Sequence, residues 1–281
     1  PACMDGGCLK KRSIDMVKGL YTAYTGMLNQ QNRLDVLTNN LANSATNGFK
    51  KEGSTSQSFK EVMALKIKDT SDYSLPKRLG NIAPGVKIGE CYTDFGQGPF
   101  RVTDNAYDLA LDGDGFFAVS FVSKDGQPSV KYTRDGAFTV NQEGYLMTKD
   151  GDFVLNPAAA QAGTPGEAGY IRVDPNVQIV VEEDGTIYQN NVQVGQIGIV
   201  DFADYNYLSK YGENMYDLVE GGQRQASEAK IVQGTLEMSN VNVISEMVEM
   251  ITISRAYESN QKIIQTIDET LDKAVNSIGK A

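Results

Sequence analysis

Two segments with a seven-residue apolar repeat, one near each end of the chain, most constrain its fold. In the first segment, leucine or methionine recurs every seven residues from Leu20 to Leu41. In the second, residues on one stripe follow spacings of four and three from Val243 to Ile278. Such spacing predicts long helices that pack along another helix in the manner of a coiled coil. Because the two helices bracket the rest of the chain, the simplest arrangement pairs them with each other.

The sequence between these helices has a different pattern. From residue 92 to residue 232, short apolar runs alternate with polar residues and end at glycine. Asp-Gly pairs at 135–136, 150–151 and 184–185 are turn signals at hairpin spacing. This pattern predicts a β-rich domain. The predicted fold class is therefore α+β, with long N- and C-terminal coiled-coil-type helices that bracket a β-rich domain.

The remaining boundaries follow from composition. Residues 49–91 are polar and irregular, which predicts an extended connector. Residues 1–15 have neither helical periodicity nor the apolar stretch of a signal peptide, so we expect a non-native or mis-assigned extension ahead of Met16. The helices are then predicted over 16–48, where Asn47-Gly48 is a good stop signal, and over 233–281, with Ser239-Asn240 as the N-cap.

Composition excludes several classes of function. The net charge of −10 argues against nucleic-acid binding, and the sequence contains no histidine. Serine–histidine and cysteine–histidine catalysis are therefore ruled out. The three cysteines have neither a disulfide framework nor zinc spacing, and we predict no cofactor and no small-molecule substrate.

Paired carboxylates leave one enzymatic alternative open. A glycoside hydrolase needs two carboxylates placed across a sugar. The acidic pairs in this chain lie beside glycine in predicted turns, where aspartate is common for structural reasons. The prediction is that the protein is not an enzyme. A cell-wall hydrolase or glycan-binding module with oligomerisation helices stays as the alternative from a different class, and an adhesin or filament cap as a further one.

Three separated motifs resemble the flagellar axial proteins, the family of rod, hook and hook-associated subunits. Residues 39–50 (NNLANSATNGFK) resemble its N-terminal signature, with Thr38 as a mild departure. Residues 239–271, beginning SNVN and containing RAYE, are similar to its C-terminal signature. Residues 114–119 (DGFFAV) and 132–151 (YTRDGAFTVNQEGYLMTKDG) are similar to its β-domain repeat. The resemblance spans nearly all of the chain after Met16.

The resemblance implies a structural subunit of the bacterial flagellar basal-body rod. Such a subunit would self-assemble helically and transmit torque from motor to hook. It would be exported by the flagellar type III apparatus without a cleaved signal peptide, and would contact neighbouring rod and hook proteins. Within the family, the single β-domain, the connector and the SNVN sequence most resemble the distal rod protein. The proximal rod protein, or another hook–basal body axial protein, is the alternative.

The candidate assembly interface combines the apolar stripes with the polar signature residues. A buried asparagine can fix the register of packed helices, so asparagines near the end of the first helix are candidates as well. The predicted interface residues are Leu20, Met27, Leu34, Leu37, Asn40, Leu41, Asn43, Gly48, Phe49, Asn240, Val243, Met247, Met250, Ile251, Arg255, Tyr257, Ile264 and Leu271.

Overall fold

A computed structural model describes residues 6–66, 77–123, 126–163, 165–212 and 214–278. The chain divides into two compact units. Unit 1 holds the described residues within 1–42, 52–94 and 242–281, and unit 2 holds those within 43–51 and 95–241. Among the described residues, no helix has the length and apolar character needed to cross a membrane.

Two long helices lie at the two ends of the chain, and short strands fill most of the sequence between them. In chain order the elements are α1 (Gly6–Ala42), β1 (Glu52–Ser58), β2 (Val62–Lys66), β3 (Lys77–Ile82), β4 (Val86–Thr93), β5 (Phe100–Val102), β6 (Leu109–Asp112), β7 (Phe116–Val122), β8 (Pro128–Thr133), β9 (Phe138–Val140), β10 (Leu146–Thr148), β11 (Phe153–Val154), α2 (Pro157–Ala162), β12 (Ile179–Val181), β13 (Thr186–Gln189), β14 (Val192–Gln196), β15 (Ile199–Phe202), β16 (Leu208–Gly212), β17 (Met215–Leu218), β18 (Arg224–Ala226), β19 (Lys230–Gln233), β20 (Thr235–Glu237) and α3 (Val243–Lys273).

The α+β class is confirmed: an N-terminal helix and a C-terminal helix flank a large β-rich region in sequence. In unit 1, α1 and α3 run antiparallel. Gly19 lies against Ile267 and Gly26 against Asn260, so the contact residue in α3 falls as the residue number in α1 rises. A Cβ atom at position 26 would lie 3.1 Å from Asn260 Nδ2. Gly26 therefore leaves room for the Asn260 side chain at the contact between the two helices.

The segment predicted as an extended connector is instead paired strands. In unit 1, β1 pairs antiparallel with β4, and β2 pairs antiparallel with β3. The β1–β4 pair packs along α1, where Asn29 Nδ2 donates to Ser56 Oγ at 2.9 Å. The polar composition of this stretch concealed the strands, because much of β1 and β4 is exposed to solvent and the backbone bonds of each strand depend on its partner.

Both helix boundaries also differ from the predicted ones. The structure begins α1 at Gly6, inside the segment 1–15 that the sequence predicts as an extension, and ends it at Ala42 rather than at residue 48. Residues 43–51 belong to unit 2. The N-cap of α3 is Asn242 and not Ser239-Asn240, since its side chain accepts from the backbone amides of Ile244 and Ser245. Residues 233–241 accordingly belong with the β-rich unit.

Unit 2 is built around a sheet whose central strand, β7, is buried on both faces. Among the described residues this sheet has nine strands, in the order β16-β17-β8-β7-β11-β10-β9, with β15 joining β7 to β18. Phe116 and Phe117 lie side by side on β7 and are both buried. Successive side chains of a strand point to opposite faces, and these two belong to different apolar clusters. The long apolar run of β7 follows from this double burial.

Candidate assembly interface

The segment that follows α1 is built into unit 2. Gly48 has φ +66°, a left-handed conformation that favours glycine. A Cβ atom at this position would lie 2.5 Å from the carbonyl carbon of Arg134, so no larger residue fits. The Gly48 amide donates to the carbonyl oxygen of Glu237 at 2.8 Å. The predicted stop signal thus marks a close backbone approach to the core of unit 2 as well as a turn.

Three charged side chains are buried beside Gly48. Lys50 Nζ lies 2.6 Å from Glu237 Oε1, and Arg134 Nη1 lies 3.3 Å from Glu237 Oε2. Each of the three side chains is at most 3% exposed. Lys50 also donates to the carbonyl of Gly96 at 3.0 Å, and Arg134 donates to the carbonyl of Gly113 at 3.0 Å. One carboxylate therefore holds two cations that come from separate parts of the chain.

Asn240, which belongs to the C-terminal signature, lies beside this charged cluster. Its Oδ1 accepts from the backbone amide of Lys51 at 2.7 Å, and its Nδ2 donates to the carbonyl of Gly96 at 3.1 Å. Phe49 is buried, and Lys210 Nζ lies 4.2 Å from the centre of its ring. The structure therefore brings Gly48, Phe49 and Asn240, three of the predicted interface residues, together inside unit 2. The contacts named above join residues of unit 2 to one another.

Asn40 has a comparable role in unit 1. Its side chain is fully buried, its Nδ2 donates to the carbonyl of Glu52 at 2.8 Å, and its Oδ1 accepts from the Glu52 amide at 2.9 Å. The Nδ2 also lies 3.3 Å from Oε2 of Glu246, a buried residue in the first turn of α3. Asn40 therefore pairs like a strand residue with the start of β1 and joins it to both helices.

Asn43 accepts from the Thr46 hydroxyl at 3.3 Å.

The apolar stripes divide between the inside and the outside of unit 1. Ala23, Leu37 and Ile253 are buried. Five further predicted interface residues on the helices are half-buried, namely Met27, Leu34, Leu41, Met250 and Ile264. Those that lie exposed are Leu20, Val243, Met247, Ile251, Arg255, Tyr257 and Leu271.

Some exposed apolar residues were absent from the predicted interface. Ile244 and Val248 are 75% and 58% exposed and continue the patch that Met247 and Ile251 form on α3. Tyr24 and Leu28 are exposed on α1. The spacing of four and three between Ile244, Val248 and Ile251 was a usable signal for the first two. Lys50, Arg134 and Glu237 gave no such signal, because charged residues are seldom buried.

Two tyrosines of unit 2, the buried Tyr132 and the half-buried Tyr205, have altered acidity. The pKa of Tyr205 is raised strongly, first by burial and then by the hydrogen bond that its hydroxyl donates to Asp201 Oδ1 at 2.8 Å. Burial also raises the pKa of Tyr132. Both groups line the aromatic core of unit 2 rather than an open cleft. In the part of the chain that the structure describes, no group of three or more acidic or cysteine side chains is arranged to hold a metal ion.

Three family models match separate parts of the chain. They are described as flagella basal body rod protein over residues 20–50, flagellar hook protein FlgE/F/G D1 domain over 110–201, and flagellar basal body rod FlgEFG protein C-terminal over 232–277. The first model ends at Lys50, and the third begins just before Glu237. Both therefore include segments that meet in the charged cluster of unit 2.

Full-length relatives give the same result. The flagellar basal-body rod protein FlgF of Caulobacter vibrioides is 34% identical over 267 residues, which cover 94% of this chain and 99% of the relative. The flagellar basal-body rod protein FlgG of Bacillus subtilis is 34% identical over 273 residues, which cover 93% of this chain and 99% of the relative. The flagellar hook–basal body complex protein FlhO of Bacillus subtilis is 31% identical over 280 residues, which cover 94% and 100%.

Proposed function

Because the chain belongs to the family of flagellar basal-body rod proteins, we propose that it is a distal rod subunit that self-assembles helically and transmits torque from motor to hook. Proteins of this family are structural components of the flagellar basal body and not enzymes. The hydrolase alternative is therefore not retained. The proposal concerns the position in the rod, the self-assembly and the surface that carries it.

One observation carries the self-assembly proposal: α3 presents an apolar patch that unit 1 leaves uncovered. Ile244, Met247, Val248 and Ile251 are each about half exposed or more. Contiguous apolar surface of this kind marks an interaction site on a protein that would otherwise aggregate. The natural cover is a helix from a neighbouring copy, packed along α3 with coiled-coil-like spacing.

The exposed surface of α1 supports an asymmetric contact between copies. Leu20, Tyr24 and Leu28 are exposed at spacings of four residues on α1. They lie in the middle of α1, whereas the α3 patch lies at the start of α3, which packs against the end of α1 because the helices are antiparallel; the two patches therefore lie at different levels along the helix pair. A contact between two different patches is heterologous, and such contacts repeat into a helical filament when they do not close a ring.

The distal position rests on the resemblance of the segment between α1 and the β-rich unit to the distal rod protein. That segment contributes the β1–β4 and β2–β3 pairs, and the β1–β4 pair packs along α1. Paired strands on a helix stiffen it against bending, as a torque-transmitting tube requires. The proximal rod protein is the alternative. The neighbouring partners are then other rod proteins on one side and the hook protein on the other.

The self-assembly proposal is tested with charge substitutions on α3. Val248→Glu together with Ile251→Glu should abolish the tubes or rods that concentrated wild-type protein forms in negative-stain micrographs. Gln265→Glu, at an exposed position of the same helix that lies off the apolar stripe, is the matched control and should leave assembly intact. Circular dichroism of the dilute proteins checks that folding is unchanged. Normal assembly by the double variant would contradict the proposed surface.

The position in the rod needs a separate measurement. An epitope tag in the exposed turn at Asn190-Asn191, where both residues have positive φ, leaves the helices untouched. Gold labelling of purified basal bodies should then place the tag at the hook end of the rod. Label confined to the motor end would replace the distal assignment with the proximal one.

A further inference from the structure

The Asn47-Gly48 pair is a chemically labile point of the sequence. It is the one Asn-Gly pair among the 281 residues. Asparagine before glycine is prone to deamidation, because glycine has no side chain to shield its backbone nitrogen from the asparagine carbonyl. The reaction needs no enzyme and no cofactor, only water and a base. The contacts of Gly48 explain why the chain keeps this labile pair.

The fold explains why glycine must follow Asn47. The left-handed φ of Gly48 and its contact with the backbone of Arg134 exclude any residue that carries a Cβ. A replacement at position 48 that would slow deamidation is therefore incompatible with unit 2. The chain retains the labile pair for a packing reason.

The same contacts block the reaction in the folded state. Deamidation begins when the Gly48 nitrogen loses its proton and attacks the side-chain carbon Cγ of Asn47. In unit 2 the Gly48 N–H is buried and donates to the Glu237 carbonyl at 2.8 Å, so the nitrogen is neither deprotonated nor free to turn. The Asn47 carbonyl oxygen accepts from Asn214 Nδ2 at 2.9 Å, which fixes the peptide group between residues 47 and 48.

Protection depends on the nucleophile rather than on the asparagine side chain. Arg101 Nη2 donates to Asn47 Oδ1 at 3.3 Å, at an exposed site. A guanidinium on that oxygen withdraws electron density from Cγ and would favour attack. The block therefore lies in the hydrogen bond of Gly48 to β20 and in the anchoring of the Asn47 carbonyl by Asn214, between β16 and β17, both of which exist only once residues 43–51 have joined unit 2.

We propose that Asn47 is a deamidation site of the unfolded chain, that completion of unit 2 protects it, and that isoaspartate at this position excludes the chain from the folded state. In the reaction, the Gly48 nitrogen bonds to Cγ and ammonia leaves, which forms a succinimide. Water then opens the ring at either carbonyl and yields aspartate or isoaspartate. The aspartate product keeps the normal backbone and places a carboxylate beside Arg101, so it folds.

The isoaspartate product does not keep the backbone. Its main chain passes through the former side-chain carbon and is one carbon longer. The bonds from Asn214 to the residue 47 carbonyl and from the Gly48 amide to Glu237 then cannot both form in the space observed. The lesion lies beside the buried Lys50–Glu237–Arg134 cluster, where a shifted backbone would separate the charges. A chain that ages unfolded is thereby removed from assembly. This last consequence rests on the proposed function, whereas the chemistry does not.

The first experiment compares deamidation rates of the full chain in native buffer and in concentrated urea at mildly alkaline pH. Isoaspartyl methyltransferase reports isoaspartate, and peptide mass spectrometry locates it. The rate at Asn47 should be at least about 100-fold lower in the folded protein, equivalent to an opening free energy of about 2.8 kcal/mol. Asn47→Gln should abolish the isoaspartate that mass spectrometry locates at position 47 in urea, while the Asp-Gly pairs continue to give their own isoaspartate. Equal rates in the two buffers would overturn the proposal.

A matched pair of variants tests the anchoring. Asn214→Ala removes the bond to the Asn47 carbonyl, whereas Asn191→Ala changes another asparagine of positive φ that lies in the β13–β14 turn. Backbone strain is therefore similar in both. Asn214→Ala should raise the folded-state rate at Asn47 several-fold, and Asn191→Ala should not. Equal rates in the two variants would show that the anchor does not protect.

The last experiment refolds an aged sample and separates folded from unfolded chains by size-exclusion chromatography. Isoaspartate at 47 should be depleted about tenfold in the folded fraction, while aspartate at 47 is present in both. Equal isoaspartate in the two fractions would refute the exclusion. None of these measurements requires filament formation. The deamidation proposal can therefore fail while the assembly function holds, and the assembly function can fail while the deamidation proposal holds.

Discussion

The buried charge cluster of unit 2 gives the sharpest quantitative prediction. Glu237 is the one anion among the three buried charges, and it accepts from Lys50, from Arg134 and, at 2.9 Å, from the backbone amide of Gly98. Glu237→Gln keeps the shape and the acceptor oxygen but removes the negative charge that both cations face. Removing one partner of a buried ion pair costs about 3–5 kcal/mol of unfolding free energy.

The substitution of Lys50 should be less damaging. Lys50→Met leaves one cation, Arg134, facing Glu237, so the cluster becomes electrically balanced. The lost bonds to Glu237 and Gly96 then cost about 1–3 kcal/mol. We therefore expect Glu237→Gln to lower the unfolding free energy more than Lys50→Met does. This order follows from the number of unbalanced charges and not from the lengths of the bonds. It is therefore a test of the electrostatic reasoning itself.

The assay is urea unfolding followed by circular dichroism, with hydrogen exchange of amides in β7 to assign the transition to unit 2. The control is Glu183→Gln at the surface pair Lys230–Glu183, which has the same 2.6 Å separation but side chains 65% and 69% exposed. That change should have no measurable effect, because water and salt screen an exposed pair. If Glu237→Gln shifts the transition no more than Glu183→Gln, burial does not govern this cluster.

Three further outcomes follow from individual contacts. Gly48→Ala should destabilise unit 2 more than any surface change, measured by the same urea assay, because its Cβ would meet the Arg134 backbone. The raised pKa of Tyr205 contributes stability that is fully present below the unfolded pKa of about 10 and is lost as the pH rises above it. Tyr205→Phe should therefore flatten the loss of unfolding free energy at alkaline pH. An unchanged pH profile of the unfolding free energy would contradict this. Asn40→Ala should impair filament formation in negative stain while amide protection in unit 2 stays normal, because Asn40 bonds within unit 1 to Glu52.

The predicted assembly residues differ in the contacts that they make. The prediction that Asn40 can fix helix register stays a prediction, but its observed partners are in its own chain. Gly48, Phe49 and Asn240 likewise have internal contacts in unit 2. Met247 and Ile251 lie exposed, where a neighbouring subunit can reach them. The signature motifs therefore combine residues that complete the fold with residues whose surface is accessible to other copies.

Local patterns in the sequence determined the class of fold and the order of its parts. The repeats predicted helices at both ends, and the Asp-Gly turns predicted the β-rich unit, because helix and strand periods and glycine turns depend on near neighbours. The family could also be read from the sequence, since its motifs are contiguous. The helices, the strands and the relatives confirm these features.

Contacts between distant residues decided the rest. The helix pair uses Gly26, which looks like a poor helix residue, at a tight contact with Asn260 of α3. In the polar stretch after α1, β1 pairs with β4 and β2 with β3, so each strand is completed by a partner that its own pattern does not reveal. Lys50 and Glu237 are separated by 187 residues and are both buried, which only their pairing makes possible. Such choices depend on tertiary packing, and no local pattern encodes them.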